Sequence, residues 1–372
     1  MEIQIFSSIE LSSFARALFR ELKNKNYSVV HRFSISEGAY RNARSFFLRS
    51  WIRCVQYIIY PISLSVSLIS SKIKKKSLIA VVTSNTFFAP LLATFFNRRV
   101  VHLVYDLFPE AMIHSGKWRE GQRRVKIFRW LVGLSLKRSA VNIFLGERLK
   151  AYVESIHGSL SNSSIIPVGA DERPFSSFKK WEEGSAIEIL YCGNLGNMHD
   201  TQTLFDVWAS GIEPSFQFRF QCSGSKRPAL EQFAHEHADT LMDRLKIGSG
   251  LGQAEWIEAL QSAPIALVTM SKGSEEVVMP SKTYSAMMAG QAILAIAPEE
   301  SDLVDLIKRY DCGWWVRPGD SEGFQHCLKE IQSKPSQLQQ KRRQAFEVAQ
   351  NHFGQGHLAK AWIAIFETLQ KS

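Results

Sequence analysis

Along this chain short apolar runs alternate with longer stretches in which apolar residues recur every three or four positions, the spacing of one helix face. In the first half the runs at 3–6, 27–33, 78–83, 100–105 and 141–145 read as strands, and Ile165-Ile166-Pro167-Val168-Gly169 closes the first domain. Between them 11–22, 87–96, 119–138 and 147–156 read as helices; in the first, Leu11, Phe14, Ala15, Leu18, Phe19 and Leu22 share one face. The second half repeats the alternation, with strands at 187–192, 217–222, 245–247, 265–269 and 292–297. Its helices are expected at 201–209, 228–236, 254–261, 281–289 and finally 356–370. Apolar strands without polar alternation are strands buried on both faces, so the fold class is α/β with parallel sheets. No short repeat or low-complexity segment interrupts the pattern.

A chain of 372 residues suits two domains. Residues 170–186 are polar and rich in turn formers, so they read as a linker between a domain at 1–169 and one at 187–355, followed by the helical segment 356–372.

The candidate chemistry gathers in the second domain. Pro280 suits a first helical turn, Ser281 and Thr283 are expected to cap it, and Gly290 is the expected stop before the buried run at 292–297. A helix start beside Lys282 offers a phosphate unpaired N–H groups and a cation, and the helix dipole disfavours that lysine unless an anion is near. Gly193-Asn194-Leu195-Gly196 lies between a strand and a helix, where missing Cβ atoms let backbone N–H groups approach a diphosphate; a tight turn without a ligand would also use such glycines. Asp106 and Glu110 follow a strand of the first domain, where doubly wound sheets place ligands.

These segments, with His199-Asp200, residues 263–269, Cys312-Gly313-Trp314-Trp315-Val316 and Pro318-Gly319-Asp320, stand in one order from 187 to 330. In that order they resemble GT-B glycosyltransferases, in particular the retaining, group 1 enzymes of bacterial surface-polysaccharide synthesis. The resemblance implies two Rossmann-like domains facing across a cleft, with the C-terminal helix crossing back to the first. It implies a retaining hexosyltransferase that needs neither metal nor cofactor and takes a UDP- or GDP-sugar. The acceptor would be a saccharide, polyprenyl-linked or otherwise, on the first domain. Carried onto this chain, the donor site comprises Gly193, Asn194, Gly196, His199, Gly250, Leu251, Glu276, Ser281, Lys282, Thr283 and Ser285, with Asp106 and Lys282 in catalysis. Three departures stand against it: Ser285 where many relatives have a ribose-binding Glu, Asn194 where many have Arg or Lys, and Ser7-Ser8-Ile9-Glu10 where a Gly-rich turn is common. A non-catalytic subunit of the same fold, or a sugar-nucleotide epimerase, are the alternatives.

Charge adds a location. Residues 1–170 hold 25 Lys and Arg against 9 Asp and Glu, whereas residues 171–372 hold 20 against 26. With no nucleic-acid-binding motif beside it, the basic half is expected to meet an anionic membrane rather than nucleic acid. The apolar stretch 51–69 is interrupted by Arg53, Gln56 and Pro61 and followed by Lys72, Lys74, Lys75 and Lys76. It reads as one or two interfacial helices with a basic flank, or as a plain buried helix, rather than as a membrane span. Five scattered cysteines, and an N-terminus that reads as a strand rather than a signal peptide, suggest a cytoplasmic protein peripheral to the inner face of the membrane. His235, Glu236, His237 and Asp239 do not share a helix face and are not expected to bind metal, and His102 reads as a satisfied core histidine.

Overall fold

The computed structural model of the chain describes residues 2–41, 45–75, 77–105, 107–114, 116–182, 186–209, 211–276 and 279–371. They form two units, Met1–Val168 with Gln355–Ser372, and Gly169–Gly354.

The first unit holds six parallel strands, β1 (Glu2–Ile9), β2 (Ser28–Ile35), β3 (Leu78–Thr83), β4 (Val100–Val104), β5 (Val141–Phe144) and β6 (Ser163–Ile165), in the order β2-β1-β3-β4-β5-β6. β3 reads LIAVVT with every residue buried, as an interior parallel strand must be. β1 runs past the apolar stretch at 3–6 because Ser7 and Ser8 are buried within it, the Ser7 hydroxyl lying 2.8 Å from His31 Nε2. β6 takes in only Ile165 of the apolar run that closes the first domain and begins at Ser163, because an edge position tolerates the polar Ser163 and Ser164.

One face of this sheet packs Ile3, Ile5 and Val81 against Leu18 and Leu22, and against Trp362 and Phe366 of the last helix, Gln355–Lys371. The other packs Phe6, Ala80 and Val82 against Tyr60, Leu64 and Leu68. These last three lie on a single helix, Phe46–Ile73, longer at both ends than the apolar stretch 51–69. Its π-turn at Val55–Ile59 immediately precedes Tyr60 and Pro61; a wider turn there makes room for a proline ring and a missing N–H. His102 is buried in β4 and held neutral, with its pKa lowered to about 4 by desolvation. It is a core residue as expected, with the Asn142 side chain of the neighbouring strand as its polar partner.

The second unit holds β7 (Ile187–Asn194), β8 (Phe216–Ser223), β9 (Leu245–Gly248), β10 (Ile265–Thr269), β11 (Ala292–Ile296) and β12 (Gly313–Val316), all parallel, in the order β12-β11-β10-β7-β8-β9. In β8 the aromatics Phe216, Phe218 and Phe220 alternate into the core, while Arg219 on the opposite face pairs with Glu188 at 2.6 Å. The polar stretch after Gly169 is anchored to this unit: Phe175 and Trp181 are buried in its cores. The buried Arg342 guanidinium donates to the carbonyls of Lys179 at 2.8 Å and Gly290 at 2.9 Å. Strand order reverses between β7 and β10, and in open α/β sheets the crevice beyond the C-terminal strand ends at such a point takes the ligand.

Candidate functional site

At that reversal β7 ends in Gly193-Asn194 and the chain turns through Leu195 to His199 before the helix Gln202–Trp208. Gly193 has φ +137°, a conformation that side chains rarely adopt, and a Cβ there would lie 3.6 Å from Lys282 Cε. The Asn194 side chain sits between two further glycines. A Cβ on Gly196 would lie 3.0 Å from its Nδ2, and a Cβ on Gly224 would lie 2.7 Å from its Oδ1 and 2.5 Å from the Leu195 carbonyl. Gly224, at the end of β8 with φ +118°, is therefore part of this turn. No spacing motif marks it; the one sequence signal is Ser223-Gly224-Ser225 directly after an apolar strand.

Lys282 reaches this turn from the other side. Its ammonium donates to the Tyr191 hydroxyl at 2.5 Å and lies 3.7 Å from that ring's centroid; the hydroxyl in turn donates to the Asn194 carbonyl at 2.7 Å. Tyr191 is held flat against Phe220 at 5.2 Å and edge-on to His199 at 5.9 Å. Burial lowers the Lys282 pKa from 10.5 to about 7, and the opposing influences come from the thiols of Cys192 and Cys222 rather than from a carboxylate. Among the described residues, then, a cation faces the glycine turn with no anion to balance it.

A second cation adjoins it. Lys226 Nζ donates to the His199 carbonyl at 2.5 Å, holding the far end of the turn, and was not singled out by any sequence pattern. His199 Nδ1 lies 2.7 Å from the Thr269 carbonyl at the end of β10. A carbonyl only accepts, so Nδ1 carries the proton and Nε2 is left with its lone pair. Desolvation first, then Lys282, lowers the His199 pKa to about 4, so it is neutral at physiological pH and suited to accept from a hydroxyl. Asp200 accepts from the Thr203 N–H at 3.1 Å and so serves the helix start.

The helix after Pro280 differs from its expectation. It spans Lys282–Met288, seven residues, and Ser281 makes no side-chain cap. The backbone N–H groups of Thr283 and Tyr284 already donate to the carbonyls of Pro280 and Ser281, so these two are not free donors for a ligand. Thr283 is fully buried with its hydroxyl unpartnered, because that side of the helix faces the core, and it makes no cap. The charged group that this segment brings to the turn is the Lys282 side chain. Ser281 is exposed, and Ser285 is half-buried one turn further on.

Of the remaining candidates, Glu276 is exposed in the loop after β10, whereas its neighbour Glu275 is half-buried with Oε2 enclosed and unpartnered. Ser271 N–H donates to the Met198 carbonyl at 2.8 Å and ties that loop to the glycine turn. Gly250 is exposed, and Leu251 packs beside the core that also meets Trp256. Gly252 N–H donates to Glu255 Oε2 at 2.9 Å, so part of this glycine run serves the start of the helix Gln253–Ser262. In the first unit Asp106 lies outside the described residues. Glu110 is buried and paired with Arg129 at 2.7 Å, a structural engagement.

No protein-family profile matches the chain. It is similar to a Pseudomonas aeruginosa protein named "Probable glycosyltransferase WbjE", with 23% identity over 252 residues, a match that spans 65% of this chain and 62% of that protein. Among solved structures it matches sucrose-phosphate synthase from Thermosynechococcus elongatus at TM-score 0.77 and 14% identity, over 100% of this chain and 99% of that one. It also matches HepE from Anabaena, solved in complex with UDP, at TM-score 0.71 and 10% identity, over 99% of both chains. With two parallel six-stranded sheets and these full-length structural matches, the chain has the GT-B fold of glycosyltransferases.

Proposed function

We propose that this chain is a glycosyltransferase that binds a nucleoside diphosphate sugar on the second unit and transfers the sugar to a saccharide acceptor, polyprenyl-linked or otherwise, in surface-polysaccharide synthesis. The observation that carries the reading is the Lys282 ammonium, held beside the Gly193–Gly196 turn with no carboxylate partner among the described residues. A diphosphate would supply the missing anion, and its backbone contacts would fall where the glycines leave room. As the glycosidic bond to the donor breaks, negative charge grows on the leaving diphosphate, and a cation already held in a desolvated site stabilises that charge without reorganisation. Lys226, by fixing the His199 carbonyl, keeps the turn in register. The His199 Nε2 lone pair suits a sugar hydroxyl. Glu275 and Glu276, on the loop that faces the turn, are the carboxylates near enough in sequence to take the ribose in place of Ser285. Retention of anomeric configuration, and charge neutralisation by lysines rather than a bound metal, complete the reading by resemblance.

Titration of the full chain with UDP, the nucleotide in the Anabaena complex, and with GDP tests the site. Lys282→Ala removes a charge-assisted contact and should weaken nucleotide binding by about 1.5–3 kcal/mol, with native circular dichroism. A variant that binds as tightly as the parent removes the assignment. Ser285 and Asn194 keep a second reading, a non-catalytic subunit of this fold; tight nucleotide binding without release of free sugar or transfer to any acceptor would favour it.

A further inference from the structure

The helix Phe46–Ile73 buries one apolar stripe and exposes another. Tyr60, Leu64 and Leu68 pack on the sheet, while Ile58, Ile62, Val66, Ile69 and Ile73, at helical spacing, stand 57%, 59%, 61%, 39% and 75% exposed. Phe46, Phe47 and Trp51 extend the exposed stripe toward the N-terminal end. A soluble surface seldom shows so long an apolar row unpartnered. At its C-terminal end opens a groove of about 680 Å³ lined by Lys72, Arg98, Arg99 and Arg138, with Ser77 and Thr94 among them. Arg99 Nη1 donates to the Ser77 hydroxyl at 2.8 Å, and Arg138 Nε donates to Thr94 Oγ1 at 3.2 Å while its guanidinium lies 4.7 Å from the centroid of the exposed Phe95 ring. Among the described residues no carboxylate pairs with any of the four cations. From Gly38 to Tyr105 the sequence carries ten Lys and Arg and no Asp or Glu.

We propose that this face rests on an anionic bilayer, with the exposed stripe at the boundary between headgroups and acyl chains and a lipid phosphate in the groove. Charge selects the occupant: a second copy would bring the same cations against these, whereas anionic lipids complement them. The helix end alone would explain Lys72, but Arg98, Arg99 and Arg138 come from other elements. The apolar stripe beside the groove is what distinguishes a lipid headgroup from a free phosphate as the natural ligand. Although the helix is long enough to span a bilayer, crossing one would strip Tyr60, Leu64 and Leu68 from the sheet, so it lies along the surface.

The test is co-sedimentation of the full chain with vesicles of phosphatidylglycerol and phosphatidylcholine, and of phosphatidylcholine alone. The expected result is binding to the anionic vesicles, weakened by salt, and far less to the neutral ones. Arg98→Gln with Arg138→Gln should lower partitioning about fivefold for each charge removed. Ile62→Ser with Val66→Ser should lower it at every salt concentration while circular dichroism stays native; if that pair misfolds, Ile73→Ser reads the same stripe. Equal binding to both vesicle types overturns the proposal. So does retention through high salt and alkaline washing, which means insertion. Soluble glycerol phosphate that saturates the chain without vesicles as tightly as lipid does makes free phosphate the ligand. A parent dimer that Ile62→Ser with Val66→Ser converts to monomer makes a second copy the occupant.

Discussion

At Lys282, burial against Tyr191 brings the amine to about 7, so near neutral pH the free protein holds comparable amounts of ammonium and amine. A bound diphosphate favours the ammonium and raises that pKa, so above about pH 7 nucleotide binding should take up close to one proton and weaken as pH rises. Calorimetry in buffers of different ionisation enthalpy measures the uptake, and Lys282→Met should abolish it. The same residue affects stability with a definite sign. Its reference value of 10.5 stands well above about 7, so between the two the unfolded chain holds the extra proton and stability rises with pH. The parent should therefore gain stability relative to Lys282→Met from about pH 7 to about pH 10 in the absence of nucleotide. A flat difference would mean that the amine is not desolvated as its contacts imply. Because Tyr191 lies 91 positions before Lys282, no local pattern could announce this pairing.

At the scale of elements, the strands were legible and the glycine turn was legible only in part. Gly193 and Gly196 stand out as punctuation after an apolar strand, but Gly224 belongs to the same turn through a contact between neighbouring strand ends. Gly224→Ala would force its Cβ to 2.5 Å from the Leu195 carbonyl at φ +118°, so the turn must move. The expected cost is about 1–3 kcal/mol of stability, with weaker nucleotide binding from a displaced Asn194. Urea unfolding and UDP titration of the variant check both; a variant equal to the parent in each would separate Gly224 from the site. The short helix Lys282–Met288 teaches the reverse lesson. Ser281 and Thr283 have the composition of caps, yet the packing of the helix turns Thr283 into the core and leaves Ser281 without a cap bond. Propensity proposed a role that burial withdrew.

In the whole molecule, the chain passes from the first unit to the second at Val168 and returns at Gln355. The last helix then completes the first unit's core, where Trp362 is fully buried beside Phe366, Leu18 and Ile5. Trp362→Ala should cost about 3–5 kcal/mol through lost burial and a residual cavity. Thermal unfolding followed by circular dichroism reads this, and UDP should still raise the unfolding temperature of the second unit. A variant as stable as the parent would mean that the helix is not part of that core.

The sequence by itself determined the kinds and places of the elements. Strands such as Leu78–Thr83 and Ala292–Ile296 are buried on both faces, so their apolar runs and bounding turns are written locally. The polar Ser7, Ser8, Ser163 and Ser164 hid the ends of β1 and β6, since a buried hydroxyl or an edge position breaks the run without ending the strand. Collinear motifs between 187 and 330 also pointed to the fold that the structural matches bear out. Only the tertiary structure decided the strand order of the two sheets, the meeting of Lys282 with Tyr191, the inward turn of Thr283 and the exposure of the stripe from Ile58 to Ile73. The division has one cause. Periodicity and turn chemistry act between residues a few positions apart, whereas pairing and desolvation depend on which distant segments share a surface, and a single sequence does not state those contacts.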